Sequence, residues 1–258
     1  MIADPKRAFS VKAEEKVRKY ISEGGNIVFM SEPGKQDVLN PLVKHLGVEM
    51  LEGNLVEPTF HEMPQMVNPY FTMVSTELAD EVVLKGIKRK LMKVYEKDTT
   101  KMSMPGVAAL SFTDSSGFVK KPLLLTRESS TWLKKGRLVT DSAAVVYSQQ
   151  DGDIKGAFPT VLQLTRQVGA KQQRAVVYGD ADFVSNDMLR NGVMINRAVF
   201  SWMSGNEYPV YTPRTDPKDN LILISSRTVS VLKVIYVWVL PLLLLIYGTV
   251  ILVRRKRK

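Results

Sequence analysis

Twenty consecutive residues near the C-terminus, Val234 to Val253, read VIYVWVLPLLLLIYGTVILV and carry no charged side chain. As a helix the run would extend roughly 30 Å, the thickness of a bilayer's hydrocarbon core. A soluble helix of that length normally shows a polar face, and this one has none, so the stretch predicts a transmembrane span rather than a buried core helix. Trp238 and Tyr236 are amphipathic rings of the kind that gather at membrane interfaces. Pro241 and Gly248 are tolerated inside a span because a local kink or neighbouring groups satisfy the freed carbonyl.

The net charge of +10 has to be read with that span in view. Five of the positive charges are the last five residues, Arg254-Arg255-Lys256-Arg257-Lys258. A short basic run abutting a span points to anionic lipid headgroups, not to nucleic acid. Lys and Arg beside a span favour the cytoplasmic side, and Arg227 and Lys233 on the other flank weaken the asymmetry without reversing it. The expected organisation is a domain over residues 1–228 outside the cytoplasmic membrane, a transmembrane helix with its lead-in at 229–253, and a basic cytoplasmic tail at 254–258. The N-terminal MIADPKRAFSVK has neither an apolar core nor a cleavage site for export, so either the domain stays inside as a tail-anchored protein, against the charge rule, or the chain lacks its natural N-terminus.

Hydrophobic residues at 45% leave ample material for a globular core. The absence of cysteine excludes disulfides, Cys-ligated zinc and a thiol nucleophile. His45 and His61 are the only histidines, which leaves little for a His-based metal cluster.

Along the chain, Ser10 predicts a cap for a helix through VKAEEKVRKYIS, with Val17, Tyr20 and Ile21 on one face and Gly24-Gly25 as the stop. NIVFMS reads as a strand. VLNPLVKHLG reads as a helix bringing Leu39, Leu42, Val43 and Leu46 together, with His45 among its polar positions. VEML follows as another strand. This rhythm predicts a parallel sheet with helices on its faces. It is lost between about Pro58 and Gly156, which reads as a β-rich insertion or a strand-swapped half of the domain, containing the β-like MVNPYFTMVSTELADEVVL and VAALSF. Within it, Lys85–Lys101 holds seven Lys or Arg against two acids and suggests a solvated helix face, with a basic binding patch as the alternative. The rhythm returns with the strands AFPTVLQLTRQ and RAVVYGD and the helix INRAVFSWMSG, then a late strand YPVYTPR and the apolar run LILIS.

The strand RAVVYGD runs into Gly179-Asp180-Ala181-Asp182-Phe183. In open α/β sheets ligands gather beyond the carboxyl ends of strands. A metal reading would take Asp180 and Asp182 as oxygen ligands, but D-x-D needs a third ligand and usually a phosphate substrate. The simpler reading is a turn in which Asp180 receives backbone N–H bonds, Asp182 or Ser185 caps the next segment, and Phe183 packs underneath. A peptide or glycan site at this edge would use Asp4, Glu32, Asp180, Asp182 and Asn186. No G-x-S-x-G elbow, P-loop or dinucleotide fingerprint is present, and Ser129 and Ser130 lack an identifiable base. No cofactor is called for.

Several stretches resemble one family in order and spacing. DPKRAFS, YISEGGNIVFMSEP, LNPLVKHLGVEMLEGNLVEP, KPLLLTRESSTW, DIKGAFPTVLQLTRQ, RAVVYGDADFVSN, NRAVFSWMSG and the terminal LPLLLLIYG with its Arg-rich end are similar to gliding-motility-associated ABC transporter auxiliary proteins. The resemblance implies a non-catalytic extracytoplasmic domain with a doubly wound, glutamine-amidotransferase-like α/β fold. It implies work beside an ABC transporter permease and a separate ATPase subunit, with Gly179–Phe183 at the sheet's carboxyl edge. The amidotransferase nucleophile is a cysteine, which this chain lacks, so no activity is carried over. Family members have an N-terminal membrane helix and a strand running into the Asp-Pro turn. Met1-Ile2-Ala3 would be the stub of that strand, and the chain the C-terminal part of a longer protein.

Overall fold

The computed structural model describes residues 1–59, 62–80, 84, 86–97, 102–136, 138–140, 145–185, 188–207 and 225–256. It divides into two units, Met1–Tyr211 and Thr212–Lys258. In the first unit the elements begin β1 (Ile2–Ala3), α1 (Val11–Ser22), β2 (Ile27–Met30), α2 (Gln36–Val43), β3 (Val48–Met50) and β4 (Asn54–Val56). Next come β5 (Met66–Val67), β6 (Tyr70–Phe71), α3 (Met73–Glu77), α4 (Ile87–Lys97), β7 (Met104–Pro105) and β8 (Leu110–Phe112). The unit closes with β9 (Val119–Leu125), β10 (Trp132–Lys134), β11 (Ile154–Lys155), β12 (Pro159–Val168), β13 (Lys171–Tyr178) and α5 (Leu189–Met203).

Local signals set the first helices as expected. Ser10 is extended and its hydroxyl accepts from the Ala13 amide at 3.3 Å, satisfying one of the orphan N–H groups of α1. Ile21 is buried on the inner face of that helix, whereas Tyr20 stays half exposed, its hydroxyl donating to the Asn26 carbonyl. Leu39, Leu42, Val43 and Leu46 are wholly buried, and His45 is exposed. Gly47 ends this segment at φ +69°, where a Cβ would also lie 2.9 Å from the Thr113 carbonyl oxygen.

The main sheet has six strands in the order β1-β2-β13-β12-β9-β6. β1, β2 and β13 run parallel, while β12, β9 and β6 are joined antiparallel. The sheet is therefore mixed, and only its first half follows the expected parallel rhythm. Gly169-Ala170 alone separates β12 from β13, and so short a link can only make a hairpin. β9 also corrects the reading of 58–156 as an insertion, because it forms an interior strand of the main sheet beside β12. The expected strand at Val48–Met50 stands apart, pairing antiparallel with β8. Met73–Glu77, read as β-like, is helical, with the Ser75 hydroxyl donating to the Leu123 carbonyl. Ile2–Ala3 pairs with Phe29–Met30 at one end of the sheet rather than in its centre.

Strand alternation gives the sheet two buried faces. Ile27, Phe29, Leu162, Leu164, Ala175 and Val177 pack toward α1 and α2. Val28, Met30, Val161, Val176 and Tyr178 pack with Leu91 of α4 and with Ile195, Ala198, Val199 and Trp202 of α5. His61, Asn186, YPVYTPR and the apolar residues of LILIS lie outside the described residues.

In the second unit a continuous helix covers Arg227–Lys256, with a mean hydropathy of 2.5 over its most apolar window and none of that window buried. Ser225 caps it, accepting from the Thr228 amide at 3.2 Å. At Ile235–Val239 the helix widens by one residue per turn, with the Leu240 amide donating five residues back to the Ile235 carbonyl. The widened turn immediately precedes Pro241, whose missing N–H and bulky ring disturb the preceding turn. Trp238 is 71% exposed. Arg254 and Arg255 lie in the last turn, where cations complement the helix dipole.

Candidate functional site

Parallel pairing places the carboxyl ends of β1, β2 and β13 at one edge, and each strand is followed there by an acidic residue. Asp4 follows β1, Glu32 lies just beyond β2, and Asp180 lies just beyond β13. Residues separated by up to 176 positions are thereby brought together (180 minus 4).

The turn after β13 is held by two carboxylates. Glu32 Oε1 accepts from the backbone amides of Ala181, at 2.8 Å, and Asp182, at 3.0 Å. Asp180 Oδ1 accepts from the Phe183 amide at 3.1 Å. Asp180 is wholly buried, and its Oδ2 has no hydrogen-bond partner among the described residues. Phe183 is buried beneath the turn, as expected. Asp182 does not cap the next segment: its side chain is exposed, and its carbonyl accepts from the Ser185 amide at 2.8 Å. The capping role belongs to Glu32, 149 residues earlier than Ala181, and no local pattern reveals it.

Gly179 has a packing reason to be glycine. A Cβ there would lie 2.1 Å from the Ala108 carbonyl oxygen. The segment through Ala108 crosses the strand end at close range, with the Ala108 amide donating to Gly179 at 2.8 Å and the Gly179 amide donating to Thr160 at 2.9 Å. Beneath the turn, the Tyr178 hydroxyl donates to Asn196 Oδ1, and Asn196 Nδ2 donates to the Phe183 carbonyl.

Electrostatics follow from this burial. Asp180 is pushed up to about 9, first by burial and then by the nearby Glu32 carboxylate, so it holds its proton at neutral pH. Glu32 is raised by burial and by Asp182 and Asp4, against the two amides that stabilise its charge. Asp4 differs. Burial raises it, but hydrogen bonds from Lys35 (2.7 Å) and Lys6 outweigh that and hold it below the ordinary carboxylate range. Asp4 sits at φ +41°, in the left-handed region that short polar side chains tolerate.

The edge thus holds one neutral acid, one carboxylate engaged by backbone amides and one engaged by lysines. Among the described residues, no three His, Cys, Asp or Glu side chains come together as a metal site. Beside the loop after β2 lies a cleft of about 480 Å³ lined by Gly34, Gln36, Asn40, Gly53 and Asn54. Ser130, read as lacking a base, does have a carboxylate neighbour: its hydroxyl donates to Glu57 Oε1 at 2.8 Å. Glu57 is buried and also accepts from the Asn68 amide at 2.6 Å, so the pair ties two loops together.

A family described as an ABC-type uncharacterized transport system matches residues 1–209. The chain belongs to this family of ABC transporter auxiliary proteins. The family match covers the body that carries the acidic edge and stops before the apolar helix. Among solved structures, the one titled mmIFT52 N-terminal domain is similar at 15% identity and a TM-score of 0.50, covering 80% of this chain and 77% of that one. At that identity the likeness concerns the fold alone. No curated protein matches the chain.

Proposed function

We propose that the protein is a non-catalytic, membrane-anchored auxiliary subunit of an ABC-type transporter. Its α/β body scaffolds the complex or binds ligand on the extracytoplasmic side, in export or gliding motility. The observation that carries this reading is the apolar helix Arg227–Lys256 in a chain whose body belongs to a transport-system family. An exposed helix apolar all round has no stable home in water, and a bilayer or the spans of a permease provide one. The basic residues after it favour a cytoplasmic C-terminus. The partners in this reading are a multispanning permease and, through it, a separate ATPase subunit. The body is taken as related in fold to the class I glutamine amidotransferases without their activity, since their nucleophile is a cysteine.

Co-purification from native membranes tests the assignment. The intact chain is expected to bring down a permease, and a chain whose span is replaced by an unrelated one is expected to lose it. Retention by the replaced chain would show that the span does not make the contact. Protease added to spheroplasts should digest the body and spare the basic end, and the opposite pattern would invert the topology.

A second reading is a peptide- or glycan-binding envelope module at the acidic edge. One observation favours it: Asp180 Oδ2, at the centre of that edge, has no hydrogen-bond partner among the described residues. Thermal shift against envelope fragments separates the two readings, with a hit lost in Asp180→Ala supporting ligand binding and a blank panel supporting scaffolding.

A further inference from the structure

The α4 helix presents a face that neither the acidic edge nor the apolar helix uses. Its sequence, IKRKLMKVYEK, holds five Lys or Arg against the single acid Glu96. Leu91 is wholly buried, and Ile87 and Val94 pack against the same core, which fixes the inward side. At 100° per residue, Arg89, Lys93 and Glu96 then point directly outward, with Lys90 and Tyr95 on the flanks. All five of these residues are exposed, Tyr95 to 40%. None of Lys88, Arg89, Lys90 and Lys93 forms an ion pair among the described residues. The core could be served by any polar residues on this outer face, yet it carries Arg89, Lys90 and Lys93 against the one acid Glu96, with an exposed phenol on its flank. A net cationic face of this kind is attracted to an anionic surface.

We propose that the outer face of α4 docks on anionic lipid headgroups of the membrane in which the same chain is anchored. This rests on the reading of Arg227–Lys256 as a span. The match is one of charge: Arg89, Lys90 and Lys93 meet lipid phosphates, while Tyr95 supplies a ring suited to the headgroup layer. The anchor favours lipid over a soluble acidic partner, because a tethered surface is present at high effective concentration without a separate encounter. Each cation close to an anionic surface raises partitioning by about fivefold, so a three-cation loss is a large effect.

The chain has no cysteine, so one introduced thiol gives one probe. Full-length Glu96→Cys, which keeps every cation of the face, carries an environment-sensitive fluorophore and is reconstituted into nanodiscs containing headgroup-quencher lipid. The discs are phosphatidylcholine alone or equal parts phosphatidylcholine and phosphatidylglycerol. Lys171→Cys, at the exposed start of β13, serves as the control position. The expected result is quenching at position 96 in the anionic discs only, reversed by high salt and absent at position 171. Adding Arg89→Gln, Lys90→Gln and Lys93→Gln should reduce the docked fraction by about tenfold or more. Gln is a good helix former, so far-ultraviolet circular dichroism and the melting temperature should stay unchanged.

Failure to co-elute with the discs would remove the anchor reading itself, and with it this proposal. Co-elution without quenching at position 96 would leave the anchor intact and make α4 a solvated face. Quenching that is equal in neutral discs, equal at position 171, or retained in the triple Gln variant would also overturn the docking.

Discussion

Replacing Asp180 by Asn tests the central electrostatic statement about the acidic edge. The folded chain holds the Asp180 proton up to about pH 9, whereas the ordinary value is 3.8. Between those two values the folded state binds a proton that the unfolded state has released. The contribution to stability is therefore fully present below the ordinary value and is lost as pH rises. The limiting slope is about 1.4 kcal/mol per pH unit, so on the order of 6 kcal/mol is lost by pH 8. Asn keeps an acceptor for the Phe183 amide and cannot ionise, but it places an amide N–H₂ where Oδ2 has no partner. Burying those donors costs about 1–3 kcal/mol at every pH. The two stability curves are accordingly expected to cross between roughly pH 4.5 and 6, with the variant ahead by roughly 3–5 kcal/mol at pH 8. Other titrating groups are common to both chains and cancel in the difference. Urea titration of the full chain in detergent, followed by the fluorescence of Trp132 and Trp202 in the body, reads this directly. Parallel curves from pH 5 to 8 would mean that Asp180 is ionised throughout and would refute the buried neutral acid. The expected outcome also means that Asp180 is a stability cost at neutral pH.

Gly179→Ala should destabilise the body by about 3 kcal/mol or more, because the new methyl meets a backbone carbonyl that cannot rotate away. A melting temperature within a degree or two of wild type, against an expected drop of roughly 10 °C, would contradict the close crossing by Ala108. Glu32→Ala should cost about 1–3 kcal/mol by releasing the amides of Ala181 and Asp182. It should also lower the pH at which Asp180 titrates, since a repelling charge is removed; an upward shift in the same urea series would argue against the pairing. Phe183→Ala should cost about 3–5 kcal/mol from a fully buried ring, measured by the same unfolding.

Local features were readable because their causes are local. The Ser10 cap acts within three residues, and the Leu39-Leu42-Val43-Leu46 stripe closes within two helical turns. The long apolar helix reads from twenty uncharged residues with no need of a partner. Asp180 over Phe183 was likewise legible as a turn. The antiparallel half of the sheet was not: the parallel rhythm expected of AFPTVLQLTRQ and RAVVYGD gives way to a hairpin whose strands run on to Gly169-Ala170, and nothing near Val119–Leu125 announces an interior strand of the main sheet.

What the amino-acid order determined by itself was the set of short-range devices, namely caps, stripes, the turn and the lipid-compatible helix, since each is satisfied by neighbours along the chain. The tertiary structure decided which carboxylates share an edge and what state each adopts. Glu32 reaches the amides of Ala181 and Asp182 because β2 and β13 pair in parallel, and Gly179 is required because a segment 71 residues earlier crosses it. Asp4, Glu32 and Asp180 share one side-chain chemistry, but burial and nearby charges make Asp180 a neutral acid and Asp4 a strongly held anion. Desolvation and proximity act through space, and only the folded chain supplies them.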